Sequence, residues 1–155
     1  SSVKWLRRIE LADRPFMTRE ETSKYTDPLG DGDTMRQFSF VMDARSIITD
    51  PAFPRVIEPG WHEIRGLAWS GRGRITGVDV SADGGTTWQA ATLQEPVLPK
   101  AHVRFRHRWE WSGEPAEIMS RATDETGYVQ PTWEALRAAR TRAATASGIT
   151  SGVLW

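Results

Sequence analysis

The sequence predicts a mainly β fold, an antiparallel β-sandwich with short helical segments near its N-terminal and C-terminal ends. Several short segments have the apolar and polar alternation of strands that bury one face. Thirteen glycines and nine prolines, many of them between these segments, supply turns at short intervals. Helical signals occur only twice and cover few residues, which leaves two packed sheets as the expected architecture.

The N-terminal part contains one strand-like run and one helix start. Residues 3–11 form the strand-like run, which the Asp-Arg-Pro sequence at residues 13–15 closes. Thr18 and Glu21 have the spacing of a capping box, in which each side chain binds the other residue's backbone N–H. A short helix is therefore predicted to begin at this point.

The β pattern begins after Gln37, where Phe38 and Phe40 recur at every second position. Residues 60–69 form the next strand candidate. The glycine-rich residues 71–74 follow it and are interpreted as a turn, because they lie between two strands and not before a helix.

A hairpin is predicted around the sequence Asp83-Gly84-Gly85. Residues 75–82 approach this turn and residues 87–93 lead away from it. Glycine accepts the positive φ that a tight hairpin turn requires, so Asp-Gly between two β segments is a strong local signal.

Residues 102–111 alternate almost without interruption. One face is apolar and consists of Val103, Phe105, His107, Trp109 and Trp111. The other face carries His102, Arg104, Arg106, Arg108 and Glu110. The pattern predicts a strand with one face in the core and a cationic face on the other side.

The C-terminal part combines one more strand with a helix. Residues 117–123 are predicted to form the strand, and residues 124–127 the turn that closes it. Pro131 precedes a stretch rich in Ala, Arg and Leu, so a helix is predicted over residues 132–144.

Composition limits the classes of function. The 155 residues suffice for one ordinary domain, and both ends look cut, so we expect a fragment with a truncated C-terminus. Twenty basic and twenty acidic residues cancel, and no apolar run reaches membrane-spanning length, so neither a nucleic acid nor a membrane is an expected partner. Eight tryptophans favour a surface that a protein partner buries.

The arginine row at Arg104, Arg106 and Arg108 is the main candidate for chemistry. At strand rise, it presents three guanidinium groups along about 13 Å, an arrangement that suits an oxyanion. A solvent-exposed outer face that maintains solubility is the alternative. No metal site is predicted, because the sequence has no cysteine and only three scattered histidines, His62, His102 and His107.

Four segments together resemble the C-terminal part of the sulfite oxidase family of molybdenum enzymes. They are SVKWLRRI at 2–9, GLAWSGRG at 66–73, VDVSADGGTTW at 78–88 and SRATDETGYVQP at 120–131. Two further segments, RPFMTREETSKYTD at 14–27 and EPVLPKAH at 95–102, are similar to the sulfane dehydrogenase branch. The resemblance implies an Ig-like (E-set) sandwich that serves as a dimerisation domain.

The resemblance also implies domain boundaries and site residues. Residues 1–12 correspond to the end of a molybdopterin-binding catalytic domain, residues 13–45 to a connecting segment and residues 46–155 to the Ig-like domain. Ser2, Val3 and Lys4 correspond to the stretch that lines the molybdopterin.

On the strand at residues 102–111, Arg106 corresponds best to the residue that binds the substrate anion, with Arg104 and Arg108 as alternatives. The family's cysteine ligand to molybdenum is absent from this chain, so the fragment alone is expected to be inactive.

The sulfane dehydrogenase branch also implies an assembly, a substrate carrier and a location. The assembly is a homodimer or a heterotetramer with a c-type cytochrome subunit, which carries the haem c. A carrier protein brings the sulfur substrate, and the enzyme lies in the periplasm. Whether the substrate is sulfite or a carrier-bound sulfane stays open. A non-catalytic Ig-like interaction module and a carbohydrate-binding sandwich with exposed tryptophans are the competing interpretations.

Overall fold

The structure is a computed structural model that describes residues 3–28, 36–53 and 55–139. Its helices and strands are α1 (Arg19–Ser23), β1 (Thr26–Pro28), β2 (Arg36–Phe38), β3 (Arg45–Asp50), β4 (Gly60–Trp69), β5 (Ile75–Ser81), β6 (Gln89–Ala90), β7 (Thr92–Leu93), β8 (Val103–Trp111), β9 (Met119–Asp124) and α2 (Trp133–Ala139). Neither helix in the described residues is long and apolar enough to cross a membrane.

Two antiparallel sheets form the sandwich. One has the strand order β3-β4-β8-β7 and the other the order β6-β5-β9. In chain order these strands take the A-B-E-D and C′-C-F positions of the immunoglobulin fold. A bridge between Thr123 and Val129 lies beside β9, where the last strand of that fold would pair. The predicted Ig-like sandwich is confirmed, and β1 and β2 form a separate two-stranded sheet.

The core lies between the two sheets and depends on side-chain alternation. In β8, Val103 and Phe105 are buried while the arginines between and after them are exposed. Ile64 of β4 and Val80 of β5 complete the contact from both sheets. Gly66 lets β4 pass over the Phe105 ring, because a Cβ at this position would lie 2.2 Å from the ring atom Cζ.

Buried polar groups tie the sheets to the loop after β9. Asp124 accepts hydrogen bonds from the Ser70 hydroxyl at 2.7 Å, from the hydroxyl and backbone N–H of Thr126 at 2.6 and 3.0 Å, and from the Tyr128 N–H at 3.2 Å. Burial raises the pKa of the Asp124 carboxyl, but the hydrogen bonds from Thr126, Ser70 and Tyr128 outweigh it and hold this pKa below its usual value.

A second polar contact joins β3 to the other sheet. The hydroxyl groups of Ser46 and Ser120 lie 2.9 Å apart, and the Ser46 hydroxyl donates to the Gln130 side chain at 2.8 Å. These bonds satisfy polar atoms that packing of the two sheets removes from water.

Both helices begin where their signals predict, but the capping box of α1 is only half formed. Thr18 caps α1 and accepts a hydrogen bond from the Glu21 N–H, whereas the Thr18 N–H donates to the Phe16 carbonyl oxygen at 2.8 Å and not to the Glu21 side chain. The Thr132 hydroxyl accepts from the Ala135 N–H at 3.2 Å, and α2 begins at the next residue. The described part of α2 ends at Ala139, so the rest of the predicted helix lies outside the described residues.

Two local predictions were wrong. Residues 3–11 form no strand, because no strand in the described residues pairs with them, and their apolar side chains are exposed. The predicted return strand over residues 87–93 divides in two. Its first part, β6, pairs with β5, and its second part, β7, pairs with β8 in the other sheet.

Candidate anion-binding site

The outer face of the four-stranded sheet carries the predicted arginine row. Arg104, Arg106 and Arg108 are all exposed on β8. The neighbouring strand β4 adds four side chains to this face. Glu63, Arg65 and Leu67 lie directly opposite the three arginines of the row, and Trp61 lies opposite Glu110. Basic groups therefore concentrate on one face of a chain that has no net charge.

The three arginines of β8 differ in their surroundings. Arg108 stacks over the Trp61 ring, with its guanidinium carbon 4.9 Å from the ring centroid. Arg106 lies in the middle of the sheet, opposite Arg65 of β4 on one side and Thr92 of β7 on the other. Arg108 is therefore held by a cation–π contact, whereas Arg106 has polar neighbours on both sides.

A shallow groove of about 500 Å³ lies on the outer face of the sheet, over the paired strands β4 and β8 and bordered by Thr49 of β3 and by Gln94. Its lining consists of Thr49, Glu63, Arg65, Leu67, Gln94, Arg104, Phe105 and Arg106. The Arg65 Nε donates to a Glu63 carboxylate oxygen at 2.6 Å. Arg104 and Arg106 form no ion pair with another residue in the described ranges, so their guanidinium groups are available to an anion.

The chemistry of this groove is that of binding. Guanidinium groups hold carboxylates and sulfur or phosphorus oxyanions through paired N–H donors, and they do not lose their proton near neutral pH. The three histidines lie apart from the groove lining. His62 contacts the Glu58 carbonyl oxygen at 2.7 Å, His102 packs edge-on against Trp69, and His107 lies 3.3 Å from the Ala90 carbonyl oxygen.

The predicted cofactor residues lie elsewhere in the chain. Val3 and Lys4 are exposed in the N-terminal segment before α1, and Ser2 lies outside the described residues. No hydrogen bond or ion pair within the described ranges joins Val3 or Lys4 to the groove. In the same ranges, no three His, Asp or Glu side chains form a cluster that could hold a metal ion.

Sequence reasoning did not identify Arg65 and Glu63. Both follow the alternation of β4, which places them on the same face as Trp61. Their position beside the arginine row depends on the register of β4 against β8. That register joins residues about forty positions apart, and no local pattern specifies it.

A family model for the Mo-co oxidoreductase dimerisation domain matches residues 36–146. The chain belongs to this family. The match covers the whole sandwich, including both strands that form the groove. The resemblance to the C-terminal part of sulfite oxidase is thereby confirmed.

Individual relatives agree with the family. Sulfite oxidase of Gallus gallus is 34% identical over 142 residues, which are 84% of this chain and 31% of that protein. An NADH nitrate reductase of Solanum lycopersicum is 34% identical over 105 residues, which are 58% of this chain and 12% of that protein. The chain therefore spans a third or less of these relatives.

Among solved structures, the sulfane dehydrogenase SoxCD from Paracoccus pantotrophus superimposes with a TM-score of 0.81. It is 48% identical and covers 97% of this chain and 39% of the matched chain. This identity exceeds that to sulfite oxidase of Gallus gallus, so the expected similarity to the sulfane dehydrogenase branch is confirmed.

Proposed function

We propose that this chain is the dimerisation part of a molybdenum-dependent sulfane or sulfite dehydrogenase, and that Arg106 binds the oxyanion of the substrate. The 48% identity to SoxCD over 97% of the chain is the observation that carries the proposal. Domain membership alone does not define the substrate, because relatives named sulfite oxidase and nitrate reductase share this domain.

The contacts of the three arginines narrow the choice among them. Stacking on Trp61 occupies Arg108, so reorienting it toward a substrate would lose that contact. Arg106 and Arg104 both line the groove without a carboxylate partner in the described ranges. The backbones of both residues are held on both sides, that of Arg106 by β4 and β7 and that of Arg104 by β4 and the Gln94 N–H, so the choice of Arg106 follows its correspondence to the residue of the family that binds the substrate anion.

A substrate oxyanion would accept two parallel N–H bonds from the Arg106 guanidinium. Such a contact fixes the orientation of the anion and offsets its negative charge. The molybdenum cofactor supplies oxygen transfer and two-electron oxidation in this proposal. The residues of this chain do not provide its metal site, since the sequence has no cysteine, so the chain alone is expected to be inactive.

Residues 1–12, in the proposed division, end a catalytic domain, and Ser2, Val3 and Lys4 contact the molybdopterin. The exposed Lys4 ammonium suits the phosphate end of that cofactor by charge. Residues 13–45 connect this part to the Ig-like domain at residues 46–155. The exposure of Val3 supports a segment that packs against another domain.

The assembly proposed for the whole protein is a homodimer or a heterotetramer with a c-type cytochrome subunit in the periplasm. Electrons then leave through haem c on that subunit, and the sulfur substrate arrives on a carrier protein. The SoxCD match and the dimerisation-domain family support this assembly. Sedimentation equilibrium of the chain at micromolar concentration tests the dimer, and a monomer would place essential contacts in the catalytic domain.

The substrate role is tested by Arg106→Ala in the full-length enzyme. Loss of a hydrogen-bonded charged contact costs about 1.5–3 kcal/mol, so kcat/KM should fall about tenfold to about a hundredfold, with a raised KM. Arg108→Ala is the matched control, because it removes the same charge from the same strand. Unchanged kinetics for Arg106→Ala would refute the assignment, and a selective loss with Arg108→Ala would move the role to that residue.

A further inference from the structure

Arg65 and Arg106 form a pair of like charges on adjacent strands. They lie directly opposite each other in the β4–β8 register, and both side chains are exposed on the outer face. Cβ atoms in such a pair are about 4.5–5.5 Å apart, and like charges at this spacing destabilise a sheet. The cost falls when an anion binds between the two groups.

The counter-charges within the groove do not neutralise this pair. Three of the lining residues are arginines, Arg65, Arg104 and Arg106, and one is a carboxylate, Glu63. In the described residues, Glu63 forms an ion pair with Arg65 alone. Three positive charges and one negative charge therefore give the lining a formal charge of +2. A dianion would balance this charge.

The remaining lining suits a small, compact oxyanion. Thr49 and Gln94 add polar side chains at the edges of the groove, while Leu67 adds an apolar side chain and the ring of Phe105 stays buried in the core. The Thr49 hydroxyl donates to the Arg65 carbonyl oxygen at 3.3 Å, which fixes the backbone from which Arg65 projects. Guanidinium forks from two strands can then hold different oxygens of one tetrahedral anion.

We infer that Arg65, Arg104 and Arg106 form a single site for a tetrahedral dianion of the sulfate class, and that Glu63 limits its affinity. Arg65 is a binding residue of this site, held by Glu63 when no anion is present. This site extends the function proposed above and rests on it, because Arg106 belongs both to the anion site and to the proposed substrate site. It assigns the anion affinity to this chain itself, independently of the molybdenum cofactor.

The test is a titration of the 155-residue chain with sodium sulfate at constant ionic strength, followed through the NMR signals of the arginine Nε–H groups. Saturable shifts are expected at Arg65, Arg104 and Arg106. Arg65→Gln should weaken sulfate binding about threefold to about tenfold, because it removes one charge a few ångströms from a dianion. Glu63→Gln should strengthen binding by a similar factor, because it removes the competing carboxylate and frees the Arg65 Nε.

The matched control is Arg108→Gln, which removes the same charge from β8 at a residue outside the groove lining that stacks on Trp61, and it should weaken sulfate binding less than Arg65→Gln does. Amide spectra of all variants establish that the fold is retained. Linear shifts without saturation, equal shifts with chloride, or weaker binding in Glu63→Gln would overturn the inference.

The experiments distinguish the substrate role of Arg106 from the three-arginine anion site. Saturable sulfate binding by the chain, together with unchanged KM for Arg106→Ala in the full-length enzyme, would keep the anion site and remove its substrate role. A raised KM for that variant without saturable sulfate binding by the chain would keep the substrate role and overturn the three-arginine site.

Discussion

Replacement of Asp124 by Asn tests how much the buried carboxylate stabilises the fold. The carboxyl group is 1% exposed and accepts four hydrogen bonds from Ser70, Thr126 and Tyr128. A hydrogen bond to a charged group contributes about 1.5–3 kcal/mol and a neutral one about 0.5–1.5 kcal/mol, so Asn loses about 1 kcal/mol per bond. The amide also presents a donor to one of these groups, and we expect a total loss of about 2–4 kcal/mol.

The measurement is urea unfolding, with the free energy of unfolding taken from the midpoint and the slope. Asp83→Asn is the matched control. Asp83 accepts from the Ser81 hydroxyl and from the hydroxyl and N–H of Thr87, but it is exposed. Water competes for those bonds, so the loss should be smaller than in Asp124→Asn. If both variants lost the same free energy of unfolding, burial would not be the reason that the hydrogen bonds of Asp124 stabilise the fold.

Two further perturbations test the core and the acid response. Gly66→Ala should lower the free energy of unfolding by about 1–3 kcal/mol in the same urea assay, because the added Cβ would lie 2.2 Å from a Phe105 ring atom. Gly77→Ala is the control and should change the stability little, because there is open space around Gly77. Equal effects of the two substitutions would contradict this. Hydrogen bonds from Thr87 and Ser81 lower the pKa of Asp83 to about 2, below its unfolded value, so its stabilisation is complete above about pH 5 and is lost as the pH falls through 2. The thermal midpoint should therefore fall less steeply with acid in Asp83→Asn than in the unmodified chain, and identical slopes would exclude this contribution.

Local periodicity was sufficient to predict β8. Val103 and Phe105 enter the core while Arg104 and Arg106 face outward, because successive side chains of a strand point to opposite sides. The same reasoning predicted a strand over residues 3–11 incorrectly. A strand also requires a partner for its backbone groups, and the sequence of one segment does not show whether a partner exists.

Strand β3 shows that hydrophobic alternation does not always reveal which face of a strand is buried. It buries Ser46 beside Ile48 while Ile47 is 40% exposed, so its hydrophobic pattern does not define a face. Ser46 is buried because hydrogen bonds to Ser120 and Gln130 satisfy its hydroxyl. Those partners lie more than seventy positions along the chain and are defined only by the packing of the two sheets.

The groove has the same dependence on long-range pairing. The arginines of β8 are evident in the sequence, but their chemistry depends on which residues of β4 lie opposite them. A register shifted by one residue would place Ile64, and not Arg65, opposite Arg106 and would turn the side chains of β4 to the other face. The core forbids that shift, because Ile64 and Ala68 are fully buried. The packing of the inner face therefore determines the charge arrangement of the outer face.

This coupling explains how one strand can serve two purposes. The residues of β8 that hold the sandwich together alternate with those that face the groove, so an outward arginine can change without altering the core. A pair of like charges such as Arg65 and Arg106 is then tolerable, since the buried contacts of the neighbouring residues offset its cost. Outward side chains on this face can therefore vary within the family while the core is retained.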